Sequence, residues 1–216
     1  MPHVRIDRER GIVEFDGFVP IDAHIENAPH LYLEVMVCTP EVRAHESLVA
    51  SRASPRHVHA ALLLVGLIPG RTGAWHWNGA EVARVPPEGS PVEVRFIWTD
   101  ADGQTHDTLA SDWVVSRVSG IRLTETIEEG APRWVFAGSR MVSRGGREWY
   151  AAEAEGTIVG LHTFTSETVA WSGVYSPSAE IEDPEWIADP SRVPPRGTSV
   201  VVRLIGVAPR ASDLAE

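Results

Sequence analysis

The chain has 216 residues, 43% hydrophobic and 23% charged, enough for one domain with a sizeable core. Thirty acids against nineteen bases set a formal charge of −11, which argues against nucleic acid as a partner. Every base is arginine, so lysine-dependent phosphate loops and Schiff bases are excluded; the single cysteine, Cys38, excludes an intrachain disulfide, a four-cysteine zinc site and an iron–sulfur cluster held by one chain.

No apolar run approaches the roughly 20 residues that span a bilayer, so no transmembrane segment is expected. Residues 1–10, MPHVRIDRER, hold no signal core, and the sequence as it stands reads as cytoplasmic. Residues 4–7 and 12–19, around Arg10-Gly11, predict an opening hairpin. Leu31, Leu33, Val35 and Val37 then alternate with Tyr32, Glu34, Met36 and Cys38, a period-two strand. A turn over 40–43 should send residues 45–51 back beside it. Ser54-Pro55 ahead of residues 56–67, with Pro69-Gly70 beyond, supplies the start and stop of a helix. Val58, Ala61, Leu62 and Val65 form one stripe of it and Ala60, Leu63, Leu64 and Leu67 the next, so it should be largely buried against a curved sheet.

Residues 71–91, with Trp75, His76 and Trp77, read as a long surface segment. Strand–turn–strand units follow at 92–99 and 104–111, at 134–143 and 147–153 around Gly145-Gly146, and at 157–164 and 168–171. A second irregular segment covers 175–197, a last strand 198–205 and a flexible tail 208–216. Residues 34–50 weakly resemble 93–110, each carrying His-acid-hydroxyl-Leu after a strand, which suggests a pair of related hairpins. The expected fold is a mainly β single domain over residues 1–207, a hairpin-built curved sheet or sandwich with one buried helix near 55–67.

The first long hairpin concentrates chemistry. Its turn pairs Cys38 with His45, whose Cβ atoms would lie roughly 4.5–5.5 Å apart, and places Met36 beside Ser47 on the same face. Thiolate and imidazole suit zinc or copper(I), so Cys38, His45 and, from the helix, His59 form a candidate metal set. Glu46, Ser47 and His57 complete the polar group. His57 and His59 sit about 200° apart around a helix, so at most one reaches the hairpin; His59 reads equally well as a buried histidine bonded to a carbonyl. His45-Glu46-Ser47 supplies triad residue types, but strand neighbours point to opposite faces. No Gly-x-Ser-x-Gly elbow is present, at Gly138-Ser139 or elsewhere. Asp100-Ala101-Asp102-Gly103 lacks the later ligands of a calcium loop and reads as a turn.

His45-Glu46-Ser47-Leu48, the run from Pro55 to Leu63 and Gly66-Leu67-Ile68-Pro69-Gly70 resemble the YdjY-like family of bacterial proteins. The likeness extends, in the form of planctomycete-type members, through Glu14-Phe15-Asp16-Gly17, Ala110-Ser111-Asp112-Trp113 and Tyr175-Ser176-Pro177. His45, Glu46, Ser47 and His59 match its pattern. The resemblance implies an exported protein if the start is truncated, strengthens the location of a site and names no ligand. The leading expectation is a small binding protein with a polar His/Glu/Ser site between the first long hairpin and the helix, taking a small ligand, a metal ion or a protein partner. The alternatives are a metal-dependent enzyme with Glu46 as general base, and a structural β-domain whose polar cluster is an internal hydrogen-bond network.

Overall fold

Two apolar patterns share this chain, and each builds its own kind of strand. A computed structural model describes residues 1–25, 31–79, 81–127 and 133–207; the expected tail, 208–216, lies outside them. In chain order the elements begin with strands β1 (Val4–Asp7), β2 (Ile12–Phe18), β3 (Val35–Cys38) and β4 (Ser47–Ser51), then helix α1 (Pro55–Leu64). The short strands β5 (Pro69–Arg71), β6 (Ala74–Trp77), β7 (Val82–Val85) and β8 (Glu88–Gly89) follow, then β9 (Pro91–Thr99), β10 (Thr105–Leu109) and β11 (Val114–Ser116). The second half holds β12 (Trp134–Val135), β13 (Met141–Arg144), β14 (Arg147–Tyr150), helix α2 (Ala151–Glu155), β15 (Thr157–Gly160), β16 (Val169–Trp171), β17 (Trp186–Ala188) and β18 (Ser199–Gly206).

The main sheet runs β1-β2-β18-β9-β12-β16-β15-β3-β4, and a short β4–β2 pairing returns to the start. Eight strands, β2 through β4 on that path, thus close into a barrel-like sheet, with β1 and β10 added on β2 and β9. Closure depends on Gly17, which pairs with Ser51: a Cβ there would come within 2.5 Å of Val49 Cγ1 and 2.9 Å of Ala50 O. The mainly β expectation with a curved sheet is therefore met.

Strands β9 and β18 alternate, sending Val92, Val94 and Phe96, and Val200, Val202 and Leu204, into the core. Strands β3, β4, β15 and β16 are instead buried on both faces along their whole length. These four supply the parallel pairings, β3 with β4 and β15 with β16, as expected for strands covered on both sides. The hairpins expected at 31–51 and at 157–171 are therefore corrected to parallel crossovers. A four-residue strand rises only about 13 Å, so the links 39–46 and 161–168 are long enough to retrace it. The register sets Cys38 opposite Ala50 and Val35 opposite Ser47, and the expected Cys38–His45 pair does not form. The resemblance between 34–50 and 93–110 stops at the strand too, because β9 and β10 pair antiparallel around the Asp100 turn.

The helix is also narrower than expected. Val58, Ala61 and Leu62 are buried in the same core cluster as Phe15, Phe96 and Trp134, while Val65 is only partly buried and Leu63 and Leu64 are 46% exposed. α1 ends at Leu64, ahead of Gly66, and Leu67 N–H returns to the Leu62 carbonyl at 3.1 Å. It packs on β1, β2, β15 and α2, which fixes its N-terminal half near the β13–β14 hairpin. The segment 71–91 is not irregular: β6 pairs with β7, and β5 with β8. Within 175–197, β17 pairs with β11.

Candidate functional site

The six side chains singled out in the sequence fall into three surroundings. Cys38 and Ser47 lie in the interior, where Cys38 packs with Val35 and Ala50 and Ser47 Oγ donates to Val49 O at 3.1 Å. Burial pushes the Cys38 thiol up, against weaker opposing hydrogen bonds with Ser47 and the Arg43 backbone. His45 and Glu46 stand on the single 3-10 turn Ala44–Glu46, with His45 Nε2 3.5 Å from Glu46 Oε1 and the His45 side chain 74% exposed. His45 lines a shallow depression with Phe18, Val42 and Arg196. His57 and His59 lie on α1, both partly buried. Among the described residues no three His, Cys, Asp or Glu side chains group so as to hold a metal ion.

His59 lines a cleft somewhat larger than the roughly 450 Å³ depression at His45. This cavity, about 520 Å³, lies between α1, the bend at 138–140 and the β13–β14 hairpin, and its lining includes Arg56, His59, Ser139, Arg140, Arg147 and Tyr150. The bend carries two successive left-handed residues, Gly138 (φ +82) and Ser139 (φ +56). A Cβ at position 138 would meet Pro69 Cβ at 2.6 Å and His59 Cε1 at 3.5 Å, so only glycine lets β12 turn away beneath the histidine. Ser139 Oγ accepts from Ala152 N–H at 3.1 Å, which ties the bend to the start of α2.

A small hydrogen-bond network lines this cleft. Tyr150 Oη lies 2.9 Å from His59 Nδ1, 3.2 Å from the Gly138 carbonyl and 3.2 Å from Thr168 Oγ1. The carbonyl can only accept, and assigning the Tyr150 proton to it makes Nδ1–H of His59 the donor to the hydroxyl. In that tautomer Nε2 is an acceptor, and the ring also hydrogen-bonds the Gly138 backbone. The imidazole is held edge-on against Phe136 and Tyr150, with centroids 4.9 and 5.5 Å away. Burial lowers the His59 pKa and pushes the Tyr150 phenol up to about 12, so both are neutral at pH 7. The cleft therefore offers a fixed lone pair beside arginine cations.

A second polar group surrounds Glu46. Arg43 Nη1 donates to Glu34 Oε2 at 2.6 Å, and the Arg43 Cζ lies 4.0 Å from the Phe164 ring centroid. Burial, then the neighbouring Glu46 carboxylate, pushes Glu34 up to about 7. Nearby His162 is 8% exposed, its Nδ1 has no partner among the described residues, and burial pushes it down to about 4. No reading of the sequence singled out Glu34 or His162 as site residues, because each becomes polar machinery only through a crossover that brings β3, the 3-10 turn and the end of β15 together. Tyr150, Arg140 and Arg147 were missed as well, although one signal was visible. Residues 140–147 carry Arg140, Arg144 and Arg147 and no acid, in a chain where acids exceed bases.

The profile described as the YdjY domain matches residues 4–205. No curated protein and no solved structure matches the chain.

Proposed function

From the premise that the chain belongs to the YdjY family, a membership that by itself assigns no ligand, we propose that it is a small-molecule binding protein whose site is the cleft at His59 and Tyr150. The observation that carries this reading is the 2.9 Å contact between His59 Nδ1 and the Tyr150 hydroxyl, which fixes the ring in a concave, polar lining. Of the residues singled out in the sequence, His59 lines this cleft, while His45, Glu46, Ser47, His57 and Cys38 stand outside it. The test is a screen of small polar compounds by thermal shift, with hits mapped by amide chemical shifts. Hits should move resonances of 56–59 and 138–150 and weaken on Tyr150→Phe. Hits that map to the His45 depression instead, or a screen without hits, contradict the reading.

A second reading, metal-dependent chemistry with Glu46 as general base, draws on the neighbouring Glu34 carboxyl, whose proton affinity is raised by burial and by Glu46 and which suits acid–base work. Its metal would be zinc or copper with His45, beside Glu46, as a ligand, since Cys38 is buried and His59 lies on α1. Elemental analysis of protein purified without a histidine tag tests it, since a stoichiometric metal that is lost in His45→Ala would carry it.

A further inference from the structure

We propose that the ligand of this cleft is a small oxyanion, a carboxylate or a phosphate, that also presents a hydroxyl hydrogen to His59 Nε2. The proposal rests on the cleft reading above and adds the chemical class of what binds there.

The first argument is the state of the arginines. Several arginines elsewhere in this acid-rich chain are paired, Arg5 with Asp16 at 2.8 Å, Arg43 with Glu34 at 2.6 Å, Arg95 with Asp107 at 2.5 Å and Arg203 with Glu14 at 2.7 Å, while others, such as Arg8 and Arg117, have no carboxylate partner among the described residues. At the cleft, Arg140 and Arg147 have no carboxylate partner among the described residues. Arg140 spends only Nε, on the Thr165 carbonyl at 2.9 Å, which anchors the guanidinium and leaves its terminal nitrogens unspent. The Arg147 guanidinium lies 4.5 Å from the Trp149 ring centroid, a position that holds the fork without neutralising it. Arg56 is the third, its Nε 3.6 Å from Glu153. Glu148 lines the cleft and Glu153 stands beside Arg56, so three arginines face two acids there, against the trend of the whole chain.

The second argument is the backbone. The N–H groups of Ser139 and Arg140 make no hydrogen bond among the described residues, and they belong to the bend whose left-handed residues are Gly138 and Ser139. These two N–H groups belong to residues that line the cleft, so they are donors available to an anion bound there. The start of α1 is not part of this: Glu153 Oε2 already accepts from Ser54 Oγ at 2.7 Å and from Arg56 N–H at 3.3 Å.

The third argument is the lone pair. In the Nδ1–H tautomer His59 Nε2 can only accept, so it repels a bare carboxylate and rewards a ligand that brings a donor. Arginine forks for the oxyanion and an acceptor for a hydroxyl together describe a hydroxy acid or a protonated phosphate. Met141 and Trp149, 57% and 40% exposed at the rim, give a short carbon skeleton an apolar wall.

The experiment titrates the full chain at pH 7 and low salt with malate, succinate, inorganic phosphate and the neutral polyol threitol, by calorimetry and amide chemical-shift mapping. Malate or phosphate should bind at 56–59 and 138–150, with malate roughly tenfold tighter than succinate, which lacks the hydroxyl. Arg140→Gln and Arg147→Gln, both at the surface, should each weaken the bound anion roughly tenfold while leaving Tm unchanged. Binding of malate alone or of phosphate alone supports the proposal and names the oxyanion. Equal binding of threitol, equal binding of succinate and malate, or indifference to both arginine variants overturns the anion class while the cleft stands. Absence of any shift at the cleft with these probes overturns the class as well, and the compound screen then decides whether the cleft reading falls with it.

Discussion

The crossover that carries His45 and the helix that carries His59 follow one another in the chain, yet their side chains meet different fates. The crossover exists because β3 and β4 are apolar on both faces and pair in parallel, so the link between them must travel back over the surface. His45 travels with it and is exposed. α1 instead is pinned through Val58, Ala61 and Leu62 to the barrel, and that anchorage holds His59 at a fixed depth against Phe136 and Tyr150. Similar residue types thus acquire different chemistry according to whether the backbone beneath them is packed. A defined lone pair needs a rigid support, and only one of the two segments has it.

The largest effect that separates the two segments is mechanical. Leu62→Ala, a fully buried truncation, is expected to cost about 2–5 kcal/mol. Val42→Ala, on the exposed crossover, should stay within about 0.5 kcal/mol. Chemical denaturation of both variants checks this; a small loss for Leu62→Ala would mean that the helix is not anchored as described.

Next in size is the network beside His59. Tyr150→Phe leaves the Gly138 carbonyl and His59 Nδ1–H without their shared hydroxyl, and should cost about 1–3 kcal/mol. The purely structural reading expects that stability loss and no more. The binding reading expects ligand affinity to fall as well, so the two measurements on one variant distinguish them.

The pH dependence should differ in sign. Glu34, pushed up to about 7, keeps its proton in the folded state after the unfolded chain has lost it near 4.5. The folded state then binds more protons, so this contribution is full below about 4.5 and is lost as pH rises through about 7. His59 behaves oppositely: burial lowers its pKa below 6.5, so its contribution is present above that value and is lost as pH falls. In a Tm series from about pH 5 to 8, Glu46→Gln should flatten the loss at the alkaline side and His59→Gln the loss at the acid side. Unchanged slopes in both variants would remove the titration difference between the two regions.

The smallest expected signal is at Cys38. Buried and with its thiol pushed up, it should react slowly with a thiol reagent in the native state and rapidly in denaturant. Fast native labelling would place β3 nearer the surface than the barrel allows.

Much of this architecture was legible before any coordinates. The hairpins at β1–β2 and β9–β10, the last strand β18 and the start of α1 at Ser54-Pro55 follow from alternation and from turn and cap residues, all of them local signals. The parallel pairings were not, because a short apolar run such as Val35–Cys38 carries no mark of the direction of its partner. That one ambiguity propagated into the site. An antiparallel register brings Cys38 and His45 together, whereas the parallel one buries the first and exposes the second. His59 survived the change because its position depends on the helix alone. Tyr150 and Arg140 escaped notice because they lie far from it in the chain and share its cleft only where the β13–β14 hairpin lies beside α1.

The most direct test of the central claim follows the imidazole nitrogens of His59 and His45 by long-range 1H–15N correlation at pH 7, with and without malate. The account predicts that free His59 is the Nδ1–H tautomer and that its Nε2 resonance moves on addition of malate while both nitrogens of His45 stay in place. An Nε2–H tautomer at His59, or a response at His45 with none at His59, would contradict it.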